Sequence, residues 1–237
     1  MRRHHPGMNR LAHALSLLRD NARAGPGDVA GMARFGMDVE RRLGVPVPAL
    51  RKLGRTLGRD HELALALWDT GIPDAQILAG LVTDPARLTS QQMDAWTRSM
   101  RSWDVCDGAC LNAFVHSPLA WEKVAAWTAC DEEFVRRAGF ALLATLAVHD
   151  KQAGDTRFLD ALERIEEAAD DDRNFVRKAV NWALRNIGKR NATLNAAAIS
   201  QALRLQDRGT RAARWIAADA LRELRSEAVQ ARLQANR

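Results

Sequence analysis

Apolar residues recur at three- and four-residue intervals along nearly the whole chain, the period of helices that each bury one face. Strand signals are sparse: there is no Tyr, and Val, Ile and Thr seldom cluster. The pattern predicts an all-α protein. Helices are expected over residues 9–21, from about Asp28, and from about Ala49 after a Gly44-Val45-Pro46-Val47-Pro48 turn. Others are expected near 61–69, 74–83, 90–100 and 105–116, then one opened by Pro118, since proline suits a first turn. The rest fall near 132–149, 156–169, 174–188, 195–205 and 210–226. Residues 1–8 are expected to be a flexible N-terminal tail.

The C-terminal half repeats itself. Phe134-Val135-Arg136-Arg137-Ala138 returns 41 residues later as Phe175-Val176-Arg177-Lys178-Ala179. A weaker echo sets Arg177 against Arg214 and Ala183-Leu184 against Ala220-Leu221, 37 residues on. A helical unit recurring about every 40 residues is the mark of a HEAT-like solenoid, in which repeats bury their cores against neighbours. One curved HEAT-like domain spanning residues 1–237 is therefore expected. Corresponding helices should line its concave surface, and Arg137 and Lys178 should project into the same groove.

Within the second repeat, Lys178, Trp182, Arg185 and Lys189 fall on one side of a helix and Val176, Val180, Ala183 and Ile187 on the other. Three cations with an indole among them suit a phosphate backbone with a sugar or base beside it. The plainer alternative is a solvated basic face with Trp182 folded onto a neighbouring helix. On the Arg137 helix, Ala141, Ala144 and Val148 continue the face; small side chains there admit a bulky ligand or another helix equally well. Arg137 itself suits either a phosphate or a neighbouring carboxylate.

Arg101-Ser102-Trp103-Asp104-Val105-Cys106-Asp107 is the other segment that stands out. Trp103 and Asp107, four apart, share a helix face. Asp104 sits where a first-turn carboxylate meets unpaired backbone N–H groups, a structural role. Asp107 has no such reason to stand one turn inside a helix that also carries Val105, Cys106 and Ala109.

Composition narrows the function. The chain of 237 residues is 47% hydrophobic and 27% charged, which fits a folded globular protein. No apolar run approaches the roughly 20 residues of a membrane span, and Met1-Arg2-Arg3-His4-His5-Pro6 leads into no signal-peptide core. A cytoplasmic, nucleoid-associated location of bacterial type, without membrane attachment, is expected. A net charge of +6 favours polyanionic partners. Cys106, Cys110 and Cys130 are too few and irregular for a disulfide framework; Cys106 and Cys110 with His116 are either a metal site or, as favoured here, buried core residues. The acidic run over residues 163–172 reads as a solvated helix end and loop. The six histidines are scattered, and neither a phosphate-cradling Gly motif nor a Gly-x-Ser-x-Gly elbow is present.

Together these segments resemble the DNA alkylation repair glycosylases of the AlkD type, a family of HEAT-like repeats. The likeness runs through Met32-Ala33-Arg34-Phe35, Gly44-Val45-Pro46-Val47-Pro48-Ala49-Leu50-Arg51, Ser102-Trp103-Asp104-Val105-Cys106-Asp107, Val135-Arg136-Arg137-Ala138, and Arg177-Lys178-Ala179-Val180-Asn181-Trp182-Ala183-Leu184-Arg185. It implies excision of positively charged N-alkylated purines from duplex DNA, without drawing the base into a pocket as other glycosylases do. Asp107, Trp103 and Trp182 take the catalytic positions by that resemblance. Arg137, Lys178, Arg185, Lys189 and Phe35 take the DNA contacts. Relatives often carry Tyr at the Phe35 position, so a hydroxyl is lost there and a stacking plane kept. A monomer without metal or cofactor is implied. Two other readings share the basic stripe or the solenoid: a non-catalytic binder of damaged or branched DNA, and a protein-interaction scaffold.

Overall fold

The computed structural model describes residues 6–235. Among them are fourteen α-helices and no strand. Short 3-10 turns lie at Ala33–Phe35, Pro85–Arg87 and Phe114–His116. The helices form two compact units, Met1–Leu119 and Ala120–Arg237. No helix of the described residues is long and apolar enough to cross a membrane.

The first unit holds α1 (Pro6–Asp20), α2 (Pro26–Met32), α3 (Val47–Leu57), α4 (His61–Asp69), α5 (Pro73–Val82), α6 (Ser90–Ser99) and α7 (Trp103–Asn112). Helix α5 is its axis, packed against α3, α4 and α7 and buried on nearly every side. Of the tail expected over residues 1–8, residues 1–5 lie outside the described residues. From Pro6 the chain is already helical, as proline allows in a first turn. Helix α7 is shorter than its pattern implied: it stops at Asn112, and a 3-10 turn continues to His116. Cys106 and Cys110 are fully buried on α7, as core residues.

The turn at Gly44 needs its glycine twice over. Its φ is +77°, and a Cβ would stand 2.6 Å from that of Ala24. Asp74, 2% exposed on α5, holds the turn by accepting from the backbone N–H groups of Leu43 and Val45 at 2.7 and 2.8 Å. Val47 and Pro48 then open α3.

The second unit is a stack of antiparallel pairs: α8 (Ala120–Thr128) with α9 (Glu133–His149), α10 (Asp155–Ala168) with α11 (Asn174–Gly188), and α12 (Ala192–Asp207) with α13 (Arg211–Leu224). Helix α14 (Glu227–Ala235) follows, beyond the last helix that the apolar pattern predicts. Pro118 lies before α8, in the turn leading to it. Helices α9, α11 and α13 begin 41 and 37 residues apart, the offsets of the sequence repeat. They pack side by side, with the Phe134 and Phe175 rings 5.4 Å apart between equivalent first turns.

Side chains of one repeat close the backbone of the one before. Arg190 donates to the carbonyls of Ala147, Asp150 and Ala153 at 3.0, 2.6 and 2.9 Å, Asn186 to Ala144 at 2.9 Å, and Arg173 to Asp131 at 2.6 Å. Within the first pair, α9 meets α8 at Gly139, where a Cβ would lie 2.6 Å from the Thr128 nitrogen. Backbone cannot yield as a flexible side chain does. Gly139→Ala is therefore expected to cost about 1–3 kcal/mol by overpacking, read as a lower denaturant midpoint with an unchanged slope.

Candidate nucleic-acid interface

In the first unit the candidate residues gather around the start of α7. Asp104 lies in its first turn, and Arg42 grips its carboxylate through both terminal nitrogens, at 2.7 and 3.2 Å, with the two side chains only 6% and 14% exposed. The Ser102 hydroxyl donates to the same carboxylate at 2.7 Å. Asp104 is thus structural, as its place in the sequence implied, but its partners are an arginine and a serine. A shielded bidentate pair of this kind is costly to break from one side, because the remaining charge is left stranded.

The pinned helix carries Trp103 and Asp107 on one face, both half-buried. The Trp103 indole N–H donates to the Phe35 carbonyl at 2.9 Å, which fixes the plane of the ring. Phe35 ends the 3-10 turn after α2, its ring 62% exposed with the Arg34 guanidinium 5.0 Å from its centre. Three sequence-predicted residues, Trp103, Asp107 and Phe35, belong to this unit.

The other five lie in the second unit, and their environments differ. Lys178 on α11 is exposed and has no ion-pair partner among the described residues. Trp182, one turn on, is half-buried. Arg137 is not in the open groove the repeat implied: it is 5% exposed, and its Nη1 donates to the Phe175 carbonyl at 2.7 Å. Arg185 and Lys189 converge on Glu223 of α13, Lys189 Nζ at 2.5 Å from its Oε1 and Arg185 bonded to its Oε2. Asp219 adds a second carboxylate 3.6 Å from Arg185 Nε. Asp219 also accepts from Asn181 at 2.7 Å. The basic stripe is therefore partly neutralised from the next helix, which the pattern of α11 alone could not reveal.

The model of the family described as DNA alkylation repair enzyme matches residues 16–224. The chain belongs to that family. A solved structure of a protein from what is described as a new family related to the HEAT-like repeat DNA glycosylases, with affinity for branched DNA structures, superposes on this family member with a TM-score of 0.72. The match covers 81% of each chain at 19% identity, and at that identity it establishes the HEAT-like fold. No curated protein matches the sequence.

Two carboxyls of this family member are held low by the cations paired with them. Burial would raise the Glu223 carboxyl, but the bonds and charges of Lys189 and Arg185 outweigh it and hold the group below the usual carboxylate range. Asp171 is lowered first by its bond from Arg173, against burial, and further by Arg136. A carboxyl lowered on folding stabilises the native state above its unfolded value, and that stabilisation is lost as pH falls through the folded value. Glu223→Gln is expected to lower stability at neutral pH and to remove this part of the acid dependence. Denaturation midpoints followed against pH should converge in acid, once the parent's carboxyl has taken up its proton.

Proposed function

We propose that this protein is a DNA glycosylase that excises positively charged N-alkylated purines of the 3-methyladenine and 7-methylguanine type from duplex DNA. The half-buried carboxylate of Asp107, one turn beyond Trp103 in a helix pinned by Arg42, carries the reading. N-alkylation places positive charge on the purine and makes it a good leaving group, so little acid catalysis is needed. As the glycosidic bond breaks, positive charge develops on the deoxyribose. Asp107 stabilises that charge and orients the attacking water. Trp103 and Trp182 are the aromatic contacts to the nucleotide, their electron-rich faces favouring the cationic sugar and base. The base is not drawn into a pocket.

Lys178 is the principal phosphate contact in this scheme, because it is the open cation of the α11 stripe. Arg137 adds positive charge behind the phosphate while it anchors the start of α11. Arg185 and Lys189 contribute to the extent that DNA phosphates displace Glu223. Phe35 offers a ring to the duplex without the hydroxyl that relatives often have there. The duplex is bound by a monomer.

The family match and the HEAT-like fold support this reading. The affinity for branched DNA described for the structural neighbour supports a second one, a non-catalytic binder of damaged or branched DNA, which needs neither Asp107 nor Trp103. Base release from methylated duplex DNA separates them. Asp107→Asn should slow release about 100-fold or more, in keeping with lost transition-state electrostatics, while binding survives. A parent protein that binds DNA in a salt-sensitive manner and releases no base would leave the binder.

A further inference from the structure

We infer that Trp215 on α13, backed by Arg177 of α11, is a stacking platform for an unpaired nucleotide of DNA. The inference extends the proposed function and rests on its premise that the second unit binds DNA. It starts from the repeat register. Trp215 comes 37 residues after Lys178, so the two hold equivalent places on adjacent helices. Helix α13 then presents a stripe of its own: Arg211, Arg214, Trp215, Ala218 and Arg222 are all exposed. They follow the three- and four-residue steps of one helix face. Ala213, Ile216, Ala217, Ala220 and Leu224 fill the opposite face in the core. Arg211 and Arg214 have no ion-pair partner among the described residues, unlike Arg185 and Lys189.

The indole and its neighbour look built for a ligand. Trp215 is 36% exposed, and the Arg177 guanidinium lies 4.6 Å from its ring centre. Among the described residues Arg177 is poorly satisfied: its Nε is buried without a hydrogen-bond partner, and its side-chain bond to Asn174 is 3.4 Å long. A guanidinium held that way fixes the indole plane and keeps donors for a phosphate. Paired bases in a duplex are covered on both faces by their neighbours, so an exposed ring has nothing to stack on there. An unpaired base offers its face, and aromatic side chains set among cations are how proteins hold single strands. The partner that fits is a single-stranded stretch adjoining the duplex.

Binding of the full chain to a fluorescent duplex, blunt or with a thymidine tail, tests this by anisotropy. The tail should tighten binding by the parent. Trp215→Ala should weaken binding of the tailed DNA about tenfold, as loss of one stacked base implies. On the blunt duplex the change should stay within about twofold, since it offers no unpaired base. Trp215→Phe should retain most of the tailed affinity. Arg214→Gln should reduce the salt slope on tailed DNA by about one. An equal loss on both DNAs, no loss on the tailed one, or no gain from the tail overturns the inference. Base release from methylated duplex separates the two readings: a parent that excises bases but is indifferent to Trp215→Ala refutes only the platform, whereas a parent that binds no DNA refutes both.

Discussion

The C-terminal stack depends on side chains that reach back to unpaired carbonyls of the preceding repeat. The last turn of any helix leaves carbonyls without intrahelical donors, and a helix end covered by a neighbour must find them elsewhere. Arg190 closes three carbonyls around the end of α9 and the loop after it. Asn186 adds a bond to the Ala144 carbonyl inside α9, and Arg173 bonds the Asp131 carbonyl in the loop before α9. Arg232 bonds the carbonyl of Lys189, at the end of α11. Such bonds fix each helix pair in rotation as well as in distance, which apolar packing alone does not. The exposed face of α11 takes its aim from them.

That demand explains the charge distribution. The net charge of +6 includes many cations already committed to carbonyls or carboxylates inside the fold. Arg42, Arg173 and Arg190 hold the framework; Arg185 and Lys189 answer Glu223. On α11 and α13 the exposed cations without an ion pair among the described residues are Lys178, Arg211 and Arg214, on the helices that carry Trp182 and Trp215. Total charge therefore overstates the charge available to a polyanion.

How far the sequence disclosed this arrangement follows from which forces are local. Helical periodicity is local, so most helices stood where their patterns put them, and the 41- and 37-residue offsets became the spacing of α9, α11 and α13. Trp103 and Asp107 share a face because four residues make about one turn. Asp104 was legible as structural from its place before a helix. Its grip by Arg42 was not, because nothing in a sequence links residues 62 apart. The pairing of Arg185 and Lys189 with Glu223 was hidden for the same reason, and so was the burial of Arg137. Helix α14 lies beyond the last helix predicted, which ended at residue 226; it is short and buries only Val229 and Leu233, too few positions for periodicity to register.

The locked start of α7 bears directly on the catalysis proposed for Asp107. Electrostatic stabilisation works when the charge is already in place, since a carboxylate that must reorganise loses much of what it would contribute. An exposed helix is a poor mount for such a group unless something restrains it. Here Arg42 and Ser102 hold the first turn through Asp104, and Phe35 holds the Trp103 ring through its carbonyl. Asp107 follows one turn later on a backbone with little freedom left. A leaving group that departs by itself once alkylated asks for no deep pocket and no acid, only a fixed negative charge near the sugar. Under the proposed function that charge is Asp107, the half-buried aspartate of α7 that Arg42 does not hold.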